Sequence, residues 1–146
     1  MIRSTLIALA LATFAAGCME EPDVGPLLAG VCNPADSDPE KDVSFALDIQ
    51  PLMDRASTEG GCSCHNSGAS SPSGFDMTSL TSMRRGGSFS GAKIIIAGDP
   101  CGSILVQKLS PAPPTGARMP LVGPPFWSDE EQQLLKDWIA EGAKNN

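Results

Sequence analysis

Two cysteines and the only histidine of the chain lie together in the stretch GGCSCHNSG, residues 60–68, as Cys62, Cys64 and His65. The signature C-x-x-C-H attaches haem covalently, and the stretch in this chain is one residue shorter than that signature. Thiols and an imidazole also suit a soft metal ion. The same residues can instead form a disulfide corner next to a loop histidine. The stretch is therefore open to three interpretations: haem attachment, metal binding or a structural disulfide.

The shorter spacing changes which side chains can share one face of a helix. Residues three and four apart lie on one face of a helical turn, whereas residues two apart are separated by about 200°. Cys62 and Cys64 therefore cannot both face a haem unless the backbone departs from a helix. Cys64 and His65 keep the relation of the second cysteine to the histidine in the signature, and Gly61 occupies the place of the first cysteine. A bond between Cys62 and Cys64 would close a strained small ring and is discounted.

The other cysteines after Cys18 suggest a structural staple. Cys32 and Cys101 are most simply a disulfide that ties an N-terminal tether to the start of a helix. With four cysteines after Cys18, three complete pairings are possible, and the sequence does not choose among them.

Helices and one short apolar run must position these residues. Apolar positions at helical spacing predict a helix within residues 43–55, which Pro51 kinks or restarts. An Asp-Pro pair beginning at Asp99 predicts the start of a second helix, over residues 101–109. The β-branched run Ile94–Ile96 fits a strand or a buried extended piece.

The C-terminal part of the chain contrasts a long loop with a clear helix. Residues 110–127 hold six prolines and two glycines, which excludes regular structure and is typical of a functional or disordered loop. Met119 lies in this loop and is either a ligand or a plain loop anchor. The segment 128–146 predicts a helix, because Ser128 and Glu131 form a capping box ahead of an apolar stripe.

The length and the first residues set the domain organisation. Residues 1–17 have the form of a secretory signal peptide, whose apolar run is too short to span a bilayer. The residues before Cys18 resemble a bacterial lipobox, which implies a lipid-modified Cys18; the alternative is ordinary signal cleavage nearby. We predict an acidic, proline-rich tether at 18–42 and one mainly α domain of about three helices with long Pro/Gly-rich loops at 43–146. Because its apolar core is modest, such a domain commonly needs a staple or a cofactor.

Acidic residues concentrate in the tether. The chain has a net charge of −7, and removal of the signal peptide leaves 9 basic and 17 acidic residues, a net charge of −8. Seven of these acids lie in 18–42, whereas the rest of the chain carries 10 acids and 8 bases. A negative chain without a basic patch argues against a nucleic-acid partner.

From about Phe45 to Ala143, five segments in order resemble the small single-haem cytochrome c domains of bacterial secreted lipoproteins, the planctomycete- and myxobacterial-type c-type cytochromes. The segments are FALDIQPLMDR, CSCHNSGASSPSGFDMTSL, IIIAGDPCGSILVQKL, ARMP and LLKDWIAEGA. The resemblance implies a cytochrome c-like fold around one haem c, with a tryptophan of the closing helix, Trp138, packed near the haem.

The same resemblance assigns roles to four residues. It implies His65 as the proximal axial ligand, Cys64 as a thioether and Met119 as the distal ligand, held by Pro120. A thioether sulfur together with imidazole raises the reduction potential and suits electron transfer. Cys62 departs from the family pattern. It forms a second thioether only in a non-helical turn, and otherwise it is free to pair with another cysteine, Cys101 or Cys32.

The expected function is that of an electron carrier rather than an enzyme. We expect a single-haem lipoprotein of the cell envelope, periplasmic or outer-membrane facing, that exchanges electrons with an unidentified redox partner and is held at the membrane by the lipid on Cys18. The alternative is a haem-free, disulfide-stabilised envelope lipoprotein with a degenerate cytochrome c-like fold, paired for example as Cys62–Cys101 and Cys32–Cys64. A Cu(I) site is a third interpretation, while zinc and nucleophilic catalysis have little support.

Overall fold

The computed structural model of the protein describes residues 32–146, and over this range the regular secondary structure is helical, without a β-strand. The mainly α prediction is confirmed. The α-helices of the described chain are α1 (Gln50–Asp54), α2 (Leu80–Arg85), α3 (Ile104–Leu109) and α4 (Asp129–Ala140). Of the two expectations for Ile94–Ile96, the strand is therefore wrong; Ile94 ends a 3-10 turn and Ile95 continues as buried extended chain.

Several predictions concern the N-terminal residues. The signal peptide 1–17, the lipidation residue Cys18 and the tether up to residue 31 lie outside the described residues. Among the helices that the structure describes, none has the length and apolar character needed to cross a membrane.

The first helix changes its winding at a proline. A π-helical turn, Phe45–Ile49, begins after Ser44, whose hydroxyl accepts a hydrogen bond from the N–H of Leu47. Pro51 has no N–H to donate to a carbonyl four residues earlier, so the regular ladder is interrupted at this point. The chain resumes as α1 at Gln50, and the predicted restart at the proline is confirmed.

Helix α3 begins later than the sequence predicts. The side chain of Asp99 does not cap it, because its Oδ1 accepts from the N–H of Gly102 at 2.8 Å and closes a turn. Ser103 then adopts an extended conformation, and its buried hydroxyl donates to the carbonyl of Asp99 at 2.8 Å. The helix starts only at Ile104, so the predicted start at Asp99 is wrong.

Helix α4 forms the centre of the core. Its capping box is confirmed: the Ser128 hydroxyl accepts from the N–H of Glu131, and the Glu131 carboxylate accepts from the N–H of Ser128. Trp138 is fully buried and stacks on Phe45, with ring centroids 5.3 Å apart. This contact packs α4 against the π-helical turn. Gly142, with φ of +98°, follows the end of the helix.

A disulfide joins the N-terminal described residues to the domain. Cys32 and Cys101 are bonded, with their Cα atoms 5.6 Å apart, and Cys101 is buried. The N–H of Asp38 donates to the carboxylate of Asp137 on α4 at 2.8 Å. Residues 32–42, the described part of the predicted tether, are therefore held on the surface of the domain at more than one point.

Candidate functional site

A cavity of about 570 Å³ is lined by residues of the cysteine loop, α3 and the proline-rich loop. Its volume falls within the roughly 300–1,000 Å³ of small-molecule binding sites. Cys62, His65 and Met119 all line it, so the fold brings together three of the four residues predicted to bind haem. Apolar side chains make up most of the remaining wall, among them Phe75, Met77, Ile94, Ile104, Leu105 and Leu109.

The cavity reaches the protein surface. Phe89 and Leu121 also line it, and these two side chains are 73% and 70% exposed. Large exposed apolar side chains next to a cavity are typical of a binding site rather than of a closed core. A molecule held in the cavity would therefore have one edge near solvent.

The imidazole of His65 is oriented by a backbone carbonyl. Its Nδ1 donates to the carbonyl oxygen of Phe75 at 3.1 Å, because a carbonyl oxygen only accepts. This bond fixes the tautomer and leaves Nε2 with a free lone pair. Burial lowers the pKa of His65 and outweighs the hydrogen bond to Phe75, which raises it. A neutral imidazole with its other nitrogen bonded to a carbonyl is the arrangement of metal-ligating histidines in proteins.

The backbone of His65 is held as firmly as its ring. Its carbonyl oxygen accepts from the N–H of Met77 at 2.9 Å and from the hydroxyl of Ser71 at 2.9 Å. The rings of His65 and Phe75 also lie 5.1 Å apart, centroid to centroid. The segment that follows the histidine therefore folds back on it and fixes its direction.

Met119 is positioned by the C-terminal end of α3. Its N–H donates to the carbonyl of Lys108 at 2.8 Å, and the guanidinium of Arg118 donates to the carbonyl of Leu109 at 3.0 Å. In return, the ammonium of Lys108 donates to the carbonyl of Ala117 at 2.6 Å. The proline-rich loop thus satisfies carbonyls that the helix leaves without partners. As predicted, this loop contains no helix or strand.

The two loops that carry His65 and Met119 are also joined to each other. The indole N–H of Trp127, at the end of the proline-rich loop, donates to the carbonyl of Gly60 at 2.8 Å, and Trp127 is buried. Gly60 has φ of +83°, and a Cβ there would lie 3.2 Å from the carbonyl oxygen of Pro125. A glycine therefore allows this close approach of the two loops.

The two free cysteines have different environments. Cys62 is partly buried and lines the cavity, whereas Cys64 is exposed. Burial raises the pKa of Cys62 to about 12, with smaller contributions from the nearby Cys64 and Asp54, so its thiol is protonated at neutral pH. Because Cys32 pairs with Cys101, the alternative pairings Cys62–Cys101 and Cys32–Cys64 are not the ones in this structure.

Gly61, at the place of the missing first cysteine, has no room for a side chain. A Cβ there would lie 2.0 Å from the carbonyl oxygen of Arg55 and 2.5 Å from its Cβ. The N–H of Gly61 donates to the carbonyl of Ala56 at 3.0 Å, and the N–H of Cys62 donates to that of Met53 at 2.8 Å. The cysteine loop is therefore pressed against the end of α1.

Some site features depend on residues that the sequence did not single out. The carbonyl of Phe75 orients His65, and Phe89 and Leu121 line the outer part of the cavity. The sequence does not indicate that the carbonyl of Phe75 bonds to His65, because only folding brings this backbone oxygen to the imidazole ring. Trp138, expected near a haem, stacks on Phe45 and donates its indole N–H to the carbonyl of Lys144 at 2.9 Å.

Comparison with known proteins identified no relative of this chain. No protein-family model, curated protein or solved structure matches the chain. Within residues 32–146, no three side chains of the types His, Cys, Asp and Glu group closely enough to hold a metal ion. The resemblance to cytochrome c domains stays a prediction from the sequence segments.

Proposed function

We propose that the protein is a single-haem c-type cytochrome of the cell envelope, held at the membrane by a lipid on Cys18, that transfers single electrons. The observation that carries the proposal is that His65 and Met119 line the same apolar cavity although 54 positions separate them in the chain. Imidazole and thioether are the axial ligand pair typical of electron-transfer haems. The lipid anchor and the location rest on the sequence alone.

The described residues fit a haem in three respects. The walls of the cavity are mainly apolar, as a macrocycle requires, and its volume is that of a cofactor site. His65 has its Nε2 lone pair free, and Cys62 offers a thiol on the same cavity. When bound, haem supplies a one-electron iron couple, whose potential a methionine ligand raises.

The chain's own residues do the positioning. The carbonyl of Phe75 holds the imidazole of His65 in one tautomer, and the bond from Met119 to α3 holds its loop in place. With His65 and Met119 both as ligands, a haem iron would have no position left for a substrate, which favours electron transfer over catalysis. The exposed side chains of Phe89 and Leu121 give a redox partner access to the cavity edge.

The proposal is tested by making the full chain in a host that carries a haem-attachment system. We expect a red protein with a sharp α-band on reduction and an intact mass increased by one haem. His65→Ala should remove the low-spin spectrum. Colourless wild-type protein, with no added mass, would contradict the proposal.

A second candidate is the haem-free envelope lipoprotein. The observation that favours it is the Cys32–Cys101 disulfide, which stabilises the domain without any cofactor. The same preparation separates the two candidates. A haem-free protein has the mass of the lipid-bearing polypeptide without haem, and after denaturation both of its free thiols, Cys62 and Cys64, react with an alkylating reagent.

A further inference from the structure

The conformation of the turn that carries His65 determines which of the two free thiols, Cys62 or Cys64, points in the same direction as the imidazole. Ser63–His65 form a 3-10 helix with Cys62 as its N-cap residue, and the N–H of His65 donates to the carbonyl of Cys62 at 2.8 Å. A 3-10 helix has three residues per turn, so side chains at positions i and i+3 lie one above the other. Cys62 and His65 are related in this way, whereas Cys64 is one third of a turn away from His65.

The surroundings of the two thiols agree with this geometry. Cys62 lines the cavity together with His65, and its backbone N–H is fixed to the carbonyl of Met53 at the end of α1. Cys64 is exposed to solvent. Cys62 and Cys64 are two residues apart, and in this turn, as in an α-helix, their side chains point in different directions. The thiol on the same side as His65 is that of Cys62.

We propose that a single thioether at Cys62 attaches the haem and that Cys64 stays a free thiol. This inference rests on the proposed function. It assigns the thioether to Cys62 instead of Cys64, the residue that the family pattern indicates. In the attachment step, the thiol of Cys62 adds across one haem vinyl group. Its sulfur bonds to the vinyl carbon next to the macrocycle, its hydrogen goes to the outer carbon, and the carbon–carbon double bond becomes single. The addition needs no external oxidant or reductant.

The attachment motif of this chain is then Cys-x-x-His, from Cys62 to His65. The position that would supply a second thioether in the longer signature is Gly61, where a Cβ would lie 2.0 Å from the carbonyl oxygen of Arg55. A second bond through Cys64 would require the turn to rotate that exposed side chain into the cavity. One thioether is therefore what the fold of this loop allows.

The experiment compares the wild-type full chain with Cys62→Ala and Cys64→Ala, all made with the haem-attachment system. Covalent haem is measured by intact mass after denaturation and by its resistance to acidified acetone. We expect Cys64→Ala to keep covalent haem at the wild-type level and Cys62→Ala to lose it, while both keep the far-UV circular dichroism of the wild type. The pyridine haemochrome band of the wild type should lie at the position of one thioether.

A measurement on the unmodified protein avoids dependence on how the variants fold. Alkylation of the denatured wild-type haem protein should label one thiol, and fragment masses should place it at Cys64. The inference would be overturned by a label at Cys62, by loss of covalent haem only in Cys64→Ala, or by a haemochrome band at the two-thioether position. Each of these results would leave the proposed haem function standing. Wild-type protein that binds no haem would overturn the proposed function and the inference together.

Discussion

Adding a side chain at Gly61 tests the close approach of the cysteine loop to α1. An alanine Cβ at this position would lie 2.0 Å from the carbonyl oxygen of Arg55, where ordinary contact begins at 3.4 Å. The loop or the carbonyl must therefore move by about 1.4 Å. Movement of the loop is resisted, because the N–H groups of Gly61 and Cys62 donate to the carbonyls of Ala56 and Met53.

The expected cost follows from this overlap. Forced packing of this kind costs about 3 kcal/mol, at the upper end of the range for overpacked sites. For a domain of this size, about 3 kcal/mol lowers the melting temperature by roughly 12–20 °C. Urea unfolding of Gly61→Ala, followed by far-UV circular dichroism in matched preparations, measures the change.

Gly68→Ala is the control in the same loop. A Cβ at Gly68 meets nothing within 4 Å, but its φ of +58° costs about 1 kcal/mol for a residue with a side chain. Gly61→Ala should therefore be clearly less stable than Gly68→Ala. Equal midpoints for the two variants would refute the reasoning. Gly61→Cys, which restores the spacing of the longer signature, should be destabilised as well and gain no second thioether.

Three further predictions concern the disulfide, the distal ligand and the cap of α4. Replacing both Cys32 and Cys101 by serine should lower the free energy of unfolding in urea by about 4 kcal/mol, since the bond closes a loop with a sequence separation of 69; an unchanged midpoint would count against this. Met119→Leu should lower the haem potential in voltammetry by on the order of 0.1 V, while Met77→Leu, on the same cavity, should leave it near the wild-type value; equal shifts would exclude Met119 as the ligand. Burial raises the pKa of Glu131, but hydrogen bonds from an arginine and from the N-cap serine outweigh it and hold the pKa below the ordinary 4.5. The resulting stability is present at neutral pH and lost as the pH falls below 4.5, so Glu131→Gln should cost about 1 kcal/mol at pH 7 and little at pH 3; a loss independent of pH would contradict this.

Local signals predicted much of the fold. The capping box of Ser128 and Glu131 and the restart at Pro51 are set by hydrogen bonds between near neighbours in sequence, which residue types alone can indicate. The start of α3 was not predictable in this way. Asp99 bonds to a turn, and Ser103 uses its hydroxyl to hold the preceding loop, a choice made by tertiary packing.

The site was predictable in its composition more than in its geometry. The sequence singled out His65 and Met119, and the fold places both on one cavity. It could not indicate that the cysteine turn is a 3-10 helix, on which the direction of Cys62 depends. A side chain at position 61 would clash with Arg55, and only the folded chain shows that these two residues are in contact.

The most direct test of the account is X-ray absorption at the iron edge of the full chain made with a haem-attachment system. If His65 and Met119 bind one iron, the spectrum should show a single sulfur neighbour together with the scattering of a histidine imidazole. The sulfur contribution should disappear in Met119→Leu and remain in Met77→Leu. Wild-type protein without iron, or with iron that has no sulfur neighbour, would contradict the account.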